Sequence, residues 1–440
     1  MPARALDPRS ADSAPAHETA SRTQRAVGGV ALAGLLICLF LLGANAASGR
    51  SNYVPSGSRS FPAWLAGPLA PFGFSTSHAL LEGLVLAICA LYGVVLACLR
   101  ALPTRLVWGA IVLATLLAML APPLLSGDVM GYISFARLGA LHGLSPYSHT
   151  ANATPSDPIY PYLTWRGASA VTSPYGPLFT IASYALAPLS IAAALWTLKC
   201  LAALTTLATV ALLWRIAKQL GHSPTWAAAM YGLNPLVLVF AVGGAHNDTW
   251  FCLLSAVAIL WLISFREPRA GLAMVAATAI KVSAVLLIPF AALGARRRRT
   301  VLVWSATAIA IAIVASLAIF GSSLDGIVSA LHGEQRDVAR HALPNEVSML
   351  LGLGHLPEAV RATFLAGFFA ALAATLWRAW KGSWWLDCYA WATLALLGAS
   401  SWLLPWYGMW ALLPASVSGS RRLQGVTLGA CAYCVAIKIL

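Results

Sequence analysis

The sequence predicts an all-α polytopic membrane protein with about 11–13 transmembrane helices. Three observations carry that prediction. Of 440 residues, 59% are hydrophobic and only 10% are charged, against about 45–50% and about 25% in a soluble domain. The mean hydropathy is +0.77, and apolar windows of about 20 residues, each able to cross a hydrocarbon core about 30 Å thick, recur along nearly the whole chain. Basic residues fall between those windows in alternation, the pattern that fixes helix orientation. A soluble core cannot hide this much apolar surface, which excludes a soluble enzyme, a disordered chain and a fibrous repeat.

Taken in order, residues 1–25 are polar and rich in Ala, Pro, Ser and Arg, and read as a disordered cytoplasmic tail. Residues 26–440 read as a single membrane domain. The first apolar run, 26–47, is too long for a signal peptide and reads as a spanning helix. Further runs lie at 78–99, 106–125, 190–214, 223–243, 247–264, 300–320, 358–377, 384–403, 405–419 and 423–440. With the N-terminus cytoplasmic, Arg100 and Arg105, Arg215 and Lys218, Arg266 and Arg269, Arg296 to Arg299, Arg378 and Lys381, and Arg421 and Arg422 share the cytoplasmic side. The net charge of +14 is therefore read as orientation and not as nucleic-acid binding. Arg50, Arg59, Arg137, Arg166, Arg336, Arg340 and Arg361 fall outside, against the rule.

Two segments are irregular. Segment 270–295 is flanked by Arg269 and Arg296, is only about one span long, and contains Lys281 and Pro289. A helical hairpin or broken re-entrant pair fits it. Segment 177–189 opens on Gly176-Pro177 and is broken by Pro188. Non-helical backbone at membrane depth cannot face lipid and must line a cavity. Two long segments, 126–176 and 321–357, fall on the outer side. Cys431 and Cys434 form a C-x-x-C spacing within an apolar run; with no second pair, helix packing explains them better than metal or redox chemistry.

The first long loop begins Ser126-Gly127-Asp128. At about 100° per residue, Asp128, Tyr132, Phe135, Gly139 and His142 share one face of an amphipathic helix, with Arg137 nearly opposite. A carboxylate among aromatic rings suits a sugar, since rings stack on sugar faces and the carboxylate accepts a hydroxyl proton. The bland reading makes Asp128 the N-cap of that helix. Two Pro-Tyr turns follow, at Pro146-Tyr147 and Pro174-Tyr175.

Together these residues resemble a family. Asp128-Val129, Tyr132, Arg137-Leu138 and Gly143-Leu144-Ser145-Pro146-Tyr147, then Ser173-Pro174-Tyr175-Gly176-Pro177, look like the GT-C glycosyltransferases. More narrowly, they are similar to the bacterial polyprenol-phosphate-mannose-dependent α-1,6-mannosyltransferases of lipomannan synthesis. Gly243 to Asp248 and Leu404-Pro405-Trp406-Tyr407 agree; Ser145 departs, standing where Asn is more usual. The resemblance covers roughly residues 105–415. It implies a multi-pass enzyme of a bacterial plasma membrane with an extracytoplasmic site. Its donor would be a polyprenyl-phosphate sugar, mannose first, and its acceptor a glycan or glycolipid. Asp128 would be the base of an inverting displacement. No cofactor is implied, and no nucleotide-binding fingerprint is present.

A leaving phosphate needs positive charge and hydrogen-bond donors. Lys281 is the first candidate, because a lysine within an apolar segment costs about 2.5–3.5 kcal/mol unless it faces a cavity or a partner. Lys199 and Arg137 are others. His246, Asn247 and Asp248 cluster at a helix junction, as donor- or acceptor-binding groups or as an N-cap. Asp128, Asp248 and His246 could converge on a divalent ion, but with no metal-ligand spacing no metal site is assigned. Trp402, Trp406, Tyr407 and Trp410 read as an interfacial belt or, at Trp406, as a wall for the acceptor. Tyr132, Tyr147 and Tyr175 complete the candidate substrate-binding set. Glu334 to Asp337 and Arg340-His341 form a charge cluster in the second outer loop. Other readings are transfer from another lipid-linked sugar (glucose or arabinose), a lipid-linked oligosaccharide flippase or transporter, and an inactive relative that scaffolds an envelope complex. The transporter reading lacks the repeated halves common in that class.

Overall fold

The computed structural model describes residues 14–51, 54, 61–163, 169–326 and 338–439. Among the described residues the regular structure is helical. The main helices are α1 (Ala14–Ala47), α2 (His78–Cys98), α3 (Thr104–Leu120), α4 (Asp128–Ala140), α5 (Pro177–Tyr184), α6 (Ile191–Gln219), α7 (Pro224–Gly232), α8 (Asp248–Ile263), α9 (Glu267–Thr278), α10 (Leu287–Gly294), α11 (Arg298–Phe320), α12 (Leu343–Leu350), α13 (Glu358–Trp380), α14 (Trp385–Ala399), α15 (Gly408–Ser416) and α16 (Arg421–Ile439). Five segments are long and apolar enough to cross a membrane: Arg22–Ala47, His78–Ala101, Ile191–Gln219, Arg298–Phe320 and Glu358–Trp380. A sixth arises if the bent pair Pro224–Gly232 and Leu236–Val242, 49° apart, is one span. The other expected runs fold as shorter or interrupted helices. Helix α1 starts at Ala14, earlier than the expected boundary at residue 26. The Ala-rich stretch before Arg22 has the composition to extend it.

The basic loops meet at one end of the bundle. There Thr104 and Thr225 hydroxyls lie 3.3 Å apart, Gln219 donates to the Ile263 carbonyl at 3.0 Å, and His222 Nδ1 lies 2.6 Å from the Val417 carbonyl. The opposite end carries the irregular backbone. After α7 the chain passes through Asn234-Pro235 into a π-helical turn, Leu236–Val242. Asn234 Oδ1 accepts from Leu236 N–H at 3.0 Å, and Asn234 Nδ2 donates to the Tyr92 hydroxyl, which itself donates to the Met230 carbonyl at 2.6 Å. A π-turn within a helix is rare and frequently functional.

Lys199, fully buried in α6, donates to the carbonyls of Ala118 at 3.1 Å and Gly243 at 2.7 Å. It thus joins the ends of α3 and of the broken α7 segment, and satisfies carbonyls that a helix end leaves unpaired. A candidate phosphate cation in the sequence is here a bolt between helix ends.

Segment 270–295, expected as a helical hairpin or broken re-entrant pair, is interrupted near its middle. α9 ends at Thr278, Lys281 is extended (φ −147°, ψ 124°), and a 3-10 turn, Val282–Leu286, leads into α10. The break is satisfied from the first long loop: Gly176 N–H donates to the Ile280 carbonyl and Leu178 N–H to the Ala279 carbonyl, each at 3.0 Å. Side-chain atoms do not fit there, because a Cβ at Gly176 would overlap the Ala279 carbonyl oxygen. Cys431 and Cys434 are buried against Gly408, in keeping with packing. Of the charge cluster in the second outer loop, Glu334 to Asp337 lie outside the described residues, as do Arg59 and Arg166.

The Gly176 contact makes a test. Gly176→Ala is expected to lower stability by about 1–3 kcal/mol, as overpacking against rigid backbone does. The thermal unfolding midpoint of the detergent-solubilised protein measures it; an unchanged midpoint would mean that the turn is not seated on the break.

Candidate active site

The α4 face follows the helical pattern read from the sequence. Tyr132 and Phe135 are buried toward α5: Tyr132 meets Tyr175 at 4.9 Å and Phe179 at 4.8 Å between ring centroids, both edge to face. Gly139 abuts the Tyr184 hydroxyl so closely that a Cβ would overlap it. His142 leaves this face. The helix ends at Ala140, Gly143 takes a left-handed φ of +65°, and the chain turns. His142 Nε2 then lies 2.7 Å from Asp157 Oδ2, and Arg137 Nε donates to Asp157 Oδ1 at 2.8 Å. Arg137 Nη1 also donates to the Ala187 carbonyl at 3.2 Å. Arg137 is thus engaged as a brace between the loop and the end of the α5 segment. The sequence reading passed over Asp157, although it is the only acid in 126–176 besides Asp128.

Asp128 opens α4, yet its side chain makes no cap hydrogen bond. Instead the Tyr175 hydroxyl donates to its Oδ2 at 3.4 Å, and His246 Nδ1 lies 3.4 Å from the same oxygen. The carboxylate is 30% exposed, while His246 is fully buried. Burial pushes the Asp128 carboxyl up, but hydrogen bonding and charge from His246, with Ser126 and the charge of Lys281, outweigh it and hold the group below its ordinary value. Asp128 is therefore a carboxylate at neutral pH. His246 stacks on Trp406, ring centroids 3.6 Å apart.

Asp248 also opens a helix without capping it. Fully buried, it accepts from Lys281 Nζ on both oxygens at 3.0 Å and from Trp410 Nε1 at 2.7 Å. Lys281 lies 4.4 Å from the Tyr407 ring centroid and 5.2 Å from that of Trp410, within cation–π range. Asn247 Oδ1 accepts from the Tyr132 hydroxyl at 3.3 Å, and Asn247 N–H donates back to that oxygen at 3.3 Å. Trp406, Tyr407 and Trp410 are buried, so the belt reading fails for them: they pack on His246 and Lys281. Trp410 was the partner that composition could not single out. Its spacing of four from Trp406 puts both on one helical face.

Tyr147 supports this assembly. Its hydroxyl donates to the Tyr175 carbonyl and to Thr180 Oγ1, each at 3.0 Å, fixing the second Pro-Tyr turn with the first. Two non-glycine residues with left-handed backbone, Leu125 (φ 62°) and Ala245 (φ 56°), precede Ser126 and His246. Such positions cluster where backbone is held for function.

The structure thus brings Asp128, Tyr132, Tyr175, His246, Asn247, Asp248, Lys281 and Trp406 to one end of the bundle, with Tyr147 behind them and Arg137 on the brace. Among the described residues no three His, Cys, Asp or Glu side chains converge as a metal site would require.

Comparison with known proteins matches residues 27–297 to the family described as alpha-(1->6)-mannopyranosyltransferase, N-terminal domain. An alpha-(1->6)-mannopyranosyltransferase A of Mycobacterium tuberculosis is 27% identical over 361 residues, 72% of this chain and 67% of that protein. A protein of the same name from Corynebacterium glutamicum is 28% identical over 188 residues, 40% of this chain and 37% of its own. The chain thus spans about two thirds of one relative and just over a third of the other. No solved structure matches.

The brace predicts a pH effect. Burial raises the Asp157 carboxyl, but Arg137, His142 and the Ile159 N–H outweigh it and hold it below its ordinary value. A depressed carboxyl stabilises above its unfolded pKa, about 3.9, and loses that contribution as pH falls through the folded value. Hydrogen-exchange protection in 141–163, taken relative to the intrinsic rate at each pH, should stay high at pH 5 and fall below about pH 4. Asp157→Asn should show the lower protection already at pH 5 to 7, at a local cost of about 3 kcal/mol.

Proposed function

This chain belongs to the alpha-(1->6)-mannopyranosyltransferase family, a family of glycosyltransferases, and we propose that it transfers mannose from a polyprenyl-phosphate donor to a glycan or glycolipid acceptor. The observation that carries this reading is Asp128, an ionised and partly exposed carboxylate ringed by Tyr175 and His246. The acceptor hydroxyl attacks the anomeric carbon and Asp128 takes its proton. The bond to the phosphate oxygen breaks, polyprenyl phosphate leaves, and the configuration inverts. Tyr175 offers a ring face and a hydroxyl to the sugar, and Tyr132, buried behind it, holds Tyr175 and Asn247 in place. Lys281, fixed by Asp248, supplies positive charge on the side where the phosphate leaves, and His246 with Asn247 borders it. Trp406 holds His246 flat. Arg137 and Tyr147 act through the loop that carries Asp128 and Tyr175.

The family's named linkage, α-(1→6), makes a primary sugar hydroxyl the proposed nucleophile. With residues 1–25 and the basic loops on the cytoplasmic side, the site lies on the extracytoplasmic face of a bacterial plasma membrane. Residues 26–440 then act as one catalytic membrane domain.

Proteoliposomes given polyprenyl-phosphate-mannose and a short α-mannoside should form a longer mannoside. Asp128→Asn should lower the rate by about 10²–10⁴-fold, the usual contribution of a general base, with unfolding unchanged. Equal turnover by the variant would remove Asp128 as base. Turnover only with glucose or arabinose donors would reassign the sugar. Lipid translocation without transfer would favour the flippase.

Lys281→Met is expected to act differently. It leaves the Asp248 charge buried and unpaired, at a cost of about 3–5 kcal/mol, so expression and unfolding midpoint should fall along with activity. A stable but inactive variant would assign Lys281 to the donor alone.

A further inference from the structure

The end of the bundle away from Asp128 carries a second feature. A groove of about 500 Å³ opens between α11 and α13, lined by Leu293 of α10, Arg298 and Leu302 of α11, and Leu376, Trp377 and Trp380 of α13. Except for Arg298 these side chains are apolar or aromatic. The groove faces outward: Leu302 is 49% and Trp380 61% exposed. None of the most apolar window of α13 is buried within the protein, so what covers this face is lipid.

An arginine at the mouth of a lipid-facing groove is the informative part. Arg298 begins α11 within the run Arg296 to Arg299, and among the described residues no carboxylate pairs with it. On the other wall Lys381 ends α13, its Nζ 5.5 Å from the Trp380 ring centroid and 6.0 Å from that of Trp377. The groove thus has Arg298 in one wall, apolar side chains below, and Lys381 beside the two tryptophans of the other wall. Basic pockets between transmembrane helices on the cytoplasmic side suit anionic headgroups.

The position separates this groove from the active site. α11 runs from Arg298 to Phe320, a length of roughly 33 Å at 1.5 Å per residue. Its far end, Phe320, packs on Tyr147 at 4.8 Å. A donor with its phosphate beside Asp128 and Lys281 therefore has its headgroup at the other end of the helix.

We propose that this groove binds one anionic phospholipid of the cytoplasmic leaflet, its phosphate between Arg298 and Lys381 and an acyl chain along Leu302, Leu376 and Trp377. The lipid fills the space between α11 and α13, which pack on α10 and α14 at this end. It seats α9 and α10 from behind, and the break between them carries Lys281.

The test uses the full chain, delipidated in detergent, with phosphatidylglycerol or phosphatidylcholine added, read by native mass spectrometry and by the unfolding midpoint. One phosphatidylglycerol per chain should be retained and should raise the midpoint, with phosphatidylcholine doing neither. Arg298→Gln with Lys381→Gln should weaken retention roughly thirtyfold, at about 1 kcal/mol for each cation lost. Leu302→Trp keeps both charges but fills the groove, and should abolish retention even if the charge variant folds poorly. Arg422→Gln, at the same end but away from the groove, should bind as the parent does. Equal retention of phosphatidylcholine, or retention unaffected by Leu302→Trp, would overturn the proposal. So would displacement of phosphatidylglycerol by an equal amount of polyprenyl phosphate, which would make the groove a site for the carrier lipid.

Discussion

The site end of this protein depends on one buried ion pair. Asp248 is a fully buried carboxylate at the start of α8, and its charge is tolerable only because Lys281 reaches both of its oxygens and Trp410 donates to one. A buried ion without its partner is strongly unfavourable. Each partner comes from a different part of the chain: the break between α9 and α10, the α8 start and the late helix α15. The pair therefore fixes the relative position of these elements, and Asp128 and His246 take their places against them. Lys281 stands there with its own backbone extended just past the end of α9.

That break is itself supported. The carbonyls of Ala279 and Ile280, left over where α9 stops, receive the N–H groups of Leu178 and Gly176. The same turn carries Tyr175 to Asp128, and Tyr147 holds the turn from behind. Backbone that cannot be left unpaired at membrane depth is thus satisfied by the segment that delivers a site aromatic. Lys199 does the equivalent for Ala118 and Gly243, beside the π-turn that leads to His246. The irregularity of this end and its polar side chains are two aspects of one arrangement.

Much of this was legible in the sequence. Apolar runs and the alternation of basic residues predicted the helical bundle, and Pro and Gly with a lone lysine marked the breaks. The face of α4 followed from its period of about 100°, up to the point where Gly143 ended it. What the sequence could not supply were pairings across long separations. Nothing local tells that Lys281 meets Asp248, or that Lys199 meets backbone carbonyls instead of a ligand. Both are lysines in apolar runs, Lys199 fully buried and Lys281 partly, and only the fold distinguishes them. The same holds for Arg137, which meets Asp157 across a loop, and for the tryptophans near residue 406. Their position at a helix end suggests a belt until the structure turns them inward.

The bolt at Lys199 also bears on how the chain enters the membrane. Its ammonium sits within α6, and a lone helix carrying it would meet a penalty of about 2.5–3.5 kcal/mol on insertion. One acceptor, Ala118, belongs to a helix synthesised earlier. The other, Gly243, follows later. α6 therefore gains its first compensation by docking on α3 as it leaves the insertion machinery, and its second when the following broken segment arrives. Insertion of this region is therefore expected to be coupled, with α3, α6 and the broken α7 segment committed together and not released one by one.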